Sequence, residues 1–363
     1  MHRPRMRPVL DDLAAYQPGP DPRGTLTHLL EANESPHDPP PGVVAAVTAA
    51  VATANRYPDF HGAGLIAALA RCHDVPQNHI ALGAGSVSLL QALFLAVAQP
   101  GAEVLYARRS FELYPALADL AGVRSRQVSL ADEVHDLRAM AAATGPATRL
   151  VVVCNPNNPT ATVAHRAEFE HFLDRVPPDC LVAVDEAYRE YVRDPGSPDG
   201  LEWYRTRPNV VVLRTFSKAY GIAGLRVGYL VGDPYVVARL RAVCLPFAVS
   251  AVAQAAAMAA LRAGDEVRRR VDAIVAERTR MRRHLLDDGW AVPPSEANFL
   301  WLRLDDAAAA FGRWCAGHGI GVRVFPADGV RVSVGSKEGN DAFLTAARAW
   351  RTTRPLAVAA TAD

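Results

Sequence analysis

A chain of 363 residues, half of them hydrophobic, has the apolar material for one large core and a smaller second one. Its 39 basic and 38 acidic residues leave a formal net charge of +1, with arginines spread along the whole length, so charge gives no case for nucleic acid or an acidic membrane surface. No apolar segment follows the basic opening Met1-His-Arg-Pro-Arg-Met-Arg-Pro8 and no run approaches the ~20 residues of a membrane helix, so the expectation is a cytoplasmic protein without a secretory leader.

Residues 1–45 are rich in proline and charge, lack a strong period, and read as an extended arm. Gly83-Ala-Gly-Ser86 then leads into an apolar helix from Val87 to Ala98, a glycine-bearing turn with serine at the N-cap position. Free N–H groups and the helix dipole make such a turn an anion site. A P-loop would end in Gly-Lys-Ser/Thr, and a dinucleotide fingerprint would need a third glycine where Ser88 stands, so neither applies. Near-continuous apolar runs follow at 103–106, 149–154, 180–185, 209–214 and 226–231, separated by Ala/Leu-rich helical stretches. That pattern predicts an α/β fold with a mainly parallel sheet, of the seven-stranded type, flanked by helices. Polar groups close the runs at Asn155, Asp185 and, shortly after Arg214, Lys218; ligands of open α/β sheets bind at that edge.

A long helical tract at 264–288 precedes a strand at 298–302, a helix at 306–317, strands near 321–324 and 330–334, and a helix at 339–351. These predict a small α+β domain over 264–355, behind a large domain over 46–263 and the arm over 1–45. Cys72, Cys154, Cys180, Cys244 and Cys315 are far apart with no C-x-x-C spacing, and the eleven histidines show no H-x-x-x-H pattern. Neither a disulfide framework nor a metal centre is expected.

Lys218 is one of two lysines in a chain that otherwise uses arginine, and the other, Lys337, sits in a polar turn. Arginine serves an ion pair as well, but it stays protonated and cannot form an imine. A lysine retained after an apolar strand and before a glycine-bearing turn is a candidate covalent catalyst. Asp185 ends a buried run, which is costly unless the carboxylate caps a helix or meets a cation or protonated heterocycle. The rigid turn Asn155-Pro-Asn-Asn-Pro-Thr160 projects Asn158 from the strand edge.

In this order, with Leu30-Glu-Ala-Asn-Glu34, Asn55-Arg-Tyr-Pro-Asp59, Ser217-Lys218, Gly224-Leu-Arg226 and Val330-Arg-Val-Ser-Val334, the motifs resemble fold type I aminotransferases that use pyridoxal phosphate, in the histidinol-phosphate aminotransferase subgroup. The resemblance covers about residues 10–350. It implies that Lys218 carries the cofactor as an imine and, once freed, moves the substrate proton. It implies that Asp185 pairs with the ring nitrogen, that Asn158 and Tyr188 meet the ring's phenolate oxygen, and that Phe111 stacks on the ring. Ser86 with the backbone at Gly85 and Val87, Ser217 and Arg226 would hold the phosphate, and Tyr57 would reach the phosphate of a neighbouring subunit in a homodimer with shared active sites. Arg331 would bind the substrate α-carboxylate in a forked pair.

Some positions depart from the commonest family text. Ala161 stands where glycine usually closes the Asn-Pro turn, which matters if that site needs positive φ. Gly85-Ser86-Val87 replaces more acidic text. In Leu245-Pro-Phe247, phenylalanine takes the place of a tyrosine near the substrate phosphate, which removes a donor and makes that wall apolar. The stretch Ser110-Phe-Glu-Leu-Tyr-Pro115 is similar to actinobacterial aromatic (phenylalanine) aminotransferases of the subgroup, and the arm would bring Tyr16 and Asn33 to the same pocket. The expected reaction passes an amino group between a phenylalanine-like amino acid and the 2-oxo acid 2-oxoglutarate. Histidinol phosphate as the amino donor is the alternative, and decarboxylation of a phosphorylated amino acid, or a non-catalytic sensing module, stands further off.

Overall fold

A computed structural model of the chain describes residues 6–13 and 26–353, so Tyr16 lies outside the described residues. The segment expected as an arm contains a short helix, Val9–Asp12, a strand, β1 (His28–Leu30), and the start of the helix Pro41–Val51, which runs across residue 45.

The chain then builds β2 (Ile80–Gly83), β3 (Glu103–Arg108), β4 (Arg124–Ser129), β5 (Thr148–Cys154), β6 (Leu181–Asp185), β7 (Val210–Thr215) and β8 (Gly228–Val231). They form one seven-stranded sheet in the order β2-β8-β7-β6-β5-β3-β4. The apolar runs are unbroken because both faces are covered. In β5, Val151 and Val153 enter the core on one face, while Leu150 and Val152 enter the core on the other. Two strands carried no such signal. β2 is only four residues long, and β4 is a mostly exposed edge strand, Arg-Ser-Arg-Gln-Val-Ser, with no need of an apolar text. The last expected strand also differs. It begins at Gly228 rather than 226, because Arg226 takes a left-handed φ of 54°, and it runs antiparallel to β2 and β7.

The long helix is found at Gly264–Asp287, with Val267, Val271, Ile274, Met281 and Leu285 buried along one stripe. After it, β9 (Phe299–Arg303), β10 (Ile320–Phe325) and β11 (Gly329–Ser333) make a second sheet with β1, ordered β1-β10-β11-β9. The helices Ala308–Gly317 and Lys337–Thr353 close its core through Phe311, Phe343 and Trp350. Among the described residues no helix is long and apolar enough to cross a membrane.

The C-terminal ends of β2, β3, β5, β6 and β7 share one sheet edge with the start of β8. Gly83 and Thr215 both pair with Gly228 there. A Cβ on Gly228 would lie 2.4 Å from the Ser86 nitrogen, so only glycine lets β8 come this close to the turn after β2.

Candidate active site

Loops at that edge, β11 and the segment after β1 enclose a cavity of about 370 Å³ lined by Asn33, Ser86, Val87, Phe111, Asn158, Asp185, Tyr188, Ser217, Lys218, Arg226 and Arg331. Eleven of the expected site residues therefore share one space.

Lys218 extends from the turn after β7, and its Nζ donates to the Ala32 carbonyl at 2.9 Å. Burial pulls its pKa down to about 7, and the positive charges of Arg331 and Arg226 push the same way, against Glu34. The amine is thereby a nucleophile and a base near neutral pH.

Asp185 is the last residue of β6 and only 3% exposed. Tyr114 donates its hydroxyl hydrogen to Oδ2 at 2.8 Å, while Oδ1 is buried without a hydrogen-bond partner. Burial pushes the carboxyl up to about 6, against the hydrogen bonds from Tyr114 and the Ala187 backbone. It caps no helix, since the next helical turn begins at Arg189 with Tyr188 as its cap.

At the turn after β2, the expected serine cap is corrected. The cap is Gly85, at φ 79°, and Ser86 is the first residue of the helix Ser86–Ala96. Positive φ suits glycine, so the serine moves into the first turn. The Gly85 N–H is given to the Gly83 carbonyl at 2.8 Å and is not a free donor. The donors left at this helix start are those of the first turn, Ser86 and Val87. What Gly85 contributes is space, because a Cβ there would lie 2.4 Å from Arg226 Nη2. Arg226 itself is fixed by bonds from Nη1 to Ser217 Oγ at 3.1 Å and to the Ala223 carbonyl at 2.9 Å.

Arg331 and Ser333 alternate on one face of β11. Arg331 Nη1 donates to Asn158 Oδ1 at 2.6 Å, and Nη2 donates to the Glu31 carbonyl. Ser333 Oγ donates to Asn33 Oδ1 at 3.0 Å, and Asn33 Nδ2 donates to the Tyr188 hydroxyl at 3.0 Å. Burial raises the Tyr188 phenol above its ordinary value, so it stays protonated.

Two expected residues are elsewhere in this chain. Tyr57 is 83% exposed and Phe247 is 40% exposed. Their rings stack at 4.7 Å with Phe60 against Phe247 at 5.1 Å, an aromatic patch outside the cavity. Residues not singled out from sequence also enter: Tyr114 behind Asp185, Ala32 and Glu31 as acceptors, and Glu112 on the wall. The spacing of Phe111 and Tyr114, three apart at the start of the helix Leu113–Ala121, was the one signal that could have exposed Tyr114. Among the described residues no group of three or more His, Cys, Asp or Glu is placed to hold a metal ion.

The chain matches the family described as aminotransferase class I and II over residues 28–346. It is 54% identical to an aromatic amino acid aminotransferase of Thermobifida fusca, over 96% of this chain and 97% of the relative. It is 52% identical to one of Streptomyces coelicolor, over 96% and 98%. Among solved structures, the histidinol-phosphate aminotransferase of Sinorhizobium meliloti in complex with pyridoxal 5'-phosphate superimposes with a TM-score of 0.87 at 29% identity, covering 97% of this chain and 99% of that one. With an amine, a buried carboxylate and an arginine gathered at the edge of a sheet of this kind, the chain belongs to the class I and II aminotransferases, enzymes that work with pyridoxal phosphate.

Proposed function

We propose that this enzyme transfers the amino group of an aromatic, phenylalanine-like amino acid to 2-oxoglutarate, with pyridoxal phosphate held in the cavity on Lys218. The cavity fits that group on two counts. The buried, unpartnered Oδ1 of Asp185 lacks the proton donor that a protonated ring nitrogen supplies. The close approach of Arg226 to Gly85, which a Cβ would prevent, sets its guanidinium beside the start of the helix Ser86–Ala96, a set of donors that suits a phosphate. Bound there, the cofactor supplies an electrophilic carbonyl carbon and an electron sink for the substrate's Cα electrons.

The chain's own residues do the rest. Ser86, Ser217, Arg226 and the N–H groups of Ser86 and Val87 hold the phosphate. Phe111 covers one ring face, and Asn158 and Tyr188 donate to the ring's oxygen. Arg331 takes the substrate α-carboxylate on its fork, and its bond to Asn158 couples the two subsites. That places the Cα–H within reach of the Lys218 Nζ, which is neutral for a large fraction of the time at pH 7 and takes the Cα proton.

The exposed patch of Tyr57, Phe60 and Phe247 supports a homodimer in which Tyr57 and Phe247 of each protomer complete the other's cavity. The apolar Phe247 then favours an aromatic side chain over a phosphorylated one. Asn33 borders the same space. A large domain over 46–263 would then supply most of the cavity and a small one over 264–355 its Arg331.

The observation that carries the reading is the meeting of Lys218, the unpartnered Asp185 oxygen and Arg331 around one cavity. Competition between phenylalanine and histidinol phosphate with 2-oxoglutarate as acceptor tests it. Phenylalanine is expected to have the higher kcat/KM. Preference for histidinol phosphate would make the subgroup's other reaction the true one, and carbon dioxide release would mark a decarboxylase.

A further inference from the structure

Arg323 of β10 stands directly opposite Arg331 of β11 in the antiparallel register. Residues so paired point to the same face with Cβ atoms ~5 Å apart, and like charges there repel. The two guanidiniums meet different partners. Arg331 donates to neutral oxygens, Asn158 Oδ1 and the Glu31 carbonyl. Arg323 is forked onto a carboxylate, with Nε 3.2 Å from Glu112 Oε2 and Nη2 2.7 Å from Glu112 Oε1. Glu112 comes from the other sheet, in the loop after β3, and lines the cavity beside Phe111. A protein carboxylate thus lies at the cavity wall, on the cation next to the one proposed for the substrate α-carboxylate.

We infer that Glu112 is a specificity-determining residue, a stand-in for a substrate carboxylate that occupies Arg323 while an uncharged side chain fills the cavity and gives way when a dicarboxylate enters. The inference rests on the proposed exchange between an aromatic amino acid and a 2-oxo dicarboxylate. One cavity must then meet an aromatic ring in one half of the reaction and a distal carboxylate in the other. A bare arginine against a ring would lose water without gaining a partner. A wholly apolar wall would reject the carboxylate for the same reason. Exchanging one carboxylate for another on a guanidinium keeps the number of charge-assisted hydrogen bonds, so the wall changes its charge at little cost. The Glu112 side chain is 28% exposed and has water to swing into.

Two unreactive acids test this in the cofactor-loaded enzyme, glutarate as the five-carbon dicarboxylate and 3-phenylpropionate as the aromatic monocarboxylate, with dissociation constants from calorimetry. Glu112→Gln takes the competing carboxylate off the Nε and Nη2 fork of Arg323 and is expected to raise the glutarate-to-phenylpropionate affinity ratio about tenfold. Arg323→Gln is expected to lower it about tenfold, and Arg323→Lys, which keeps the charge without the fork, to restore part of it. A ratio that stays at the wild-type value in Glu112→Gln and Arg323→Gln overturns the inference and leaves the pair as a strut between the two sheets. Failure of the underlying reading shows separately, as a wild-type enzyme that does not transfer the amino group from phenylalanine to 2-oxoglutarate, whatever the binding ratio.

Discussion

Tyr114 holds one oxygen of Asp185 at 2.8 Å and so aims the other, unpartnered, at the cavity. The arrangement makes the carboxylate costly in the absence of a cation. Its rise from 3.8 to about 6 corresponds to roughly 3 kcal/mol. A carboxyl raised on folding contributes stability that is full below its unfolded pKa and lost as pH rises through the folded one. For Asp185 that window runs from 3.8 to about 6. In cofactor-free protein, the melting temperature of Asp185→Asn minus that of wild type should therefore increase across this window. Pyridoxal phosphate should reverse the order at neutral pH, because only the wild type gains an ion pair. A difference that does not vary with pH would show that Asp185 is not the titrating group.

Lys218 carries the second prediction. Purified wild type should show the absorbance band of a lysine-bound pyridoxal, and Lys218→Ala should lose it together with turnover. The loss of rate should be at least ~10²–10⁴-fold, the usual worth of a positioned acid–base group. Normal turnover in the variant would sink the mechanism.

The proposed sharing of sites between two protomers predicts complementation. Tyr57→Ala and Lys218→Ala homodimers should each be poorly active, but unfolded and refolded together they should form hybrids in which one site carries both lesions and the other none. At random assortment about a quarter of all sites are restored. A mixture no more active than its parents would confine Tyr57 to its own protomer.

Ala161 is fully buried at φ 62°, so the glycine usual at this position answers a real demand of the backbone. Its N–H bonds the Asn157 carbonyl at 2.8 Å and its own carbonyl accepts from Glu296 at 2.8 Å, which holds it there. A left-handed conformation costs a Cβ-bearing residue about 1–2 kcal/mol, partly offset by the entropy glycine loses on folding. Ala161→Gly should raise stability to urea by up to ~1 kcal/mol; a drop would mean that packing of the methyl outweighs the strain.

Lys218, Asp185 and Asn158 were legible because each carries a local signal, a polar group at or just after the end of an apolar strand, and strand ends of this fold meet at one edge; Arg331, in the middle of β11, was legible only through the resemblance. The parallel run of strands was legible because strands covered on both faces read as unbroken apolar runs between helical stretches. Tyr114 and Glu112 were not, since their partners lie 71 and 211 residues away and a phenol or carboxylate near a helix start has many ordinary uses. β4 escaped because an edge strand needs no apolar alternation, and the antiparallel sense of β8 because an apolar run has no direction written in it. Tyr57, expected at the phosphate of a neighbouring subunit, and Phe247, expected beside the substrate, both lie on the surface of this chain.

β1 has a consequence for the order of assembly. It pairs His28 with Ile320, and the residues just after it supply acceptors to Lys218 and Arg331 and the bonds between Asn33, Tyr188 and Ser333. At ribosomal rates of ~5–20 residues per second, the partner strand is made roughly 15–60 s after β1 itself. β1 thus cannot dock until every strand of the large sheet has been made, and that sheet can form with the lysine still uncovered. The site then keeps an open side for its cofactor until residues 32–34 settle over the lysine.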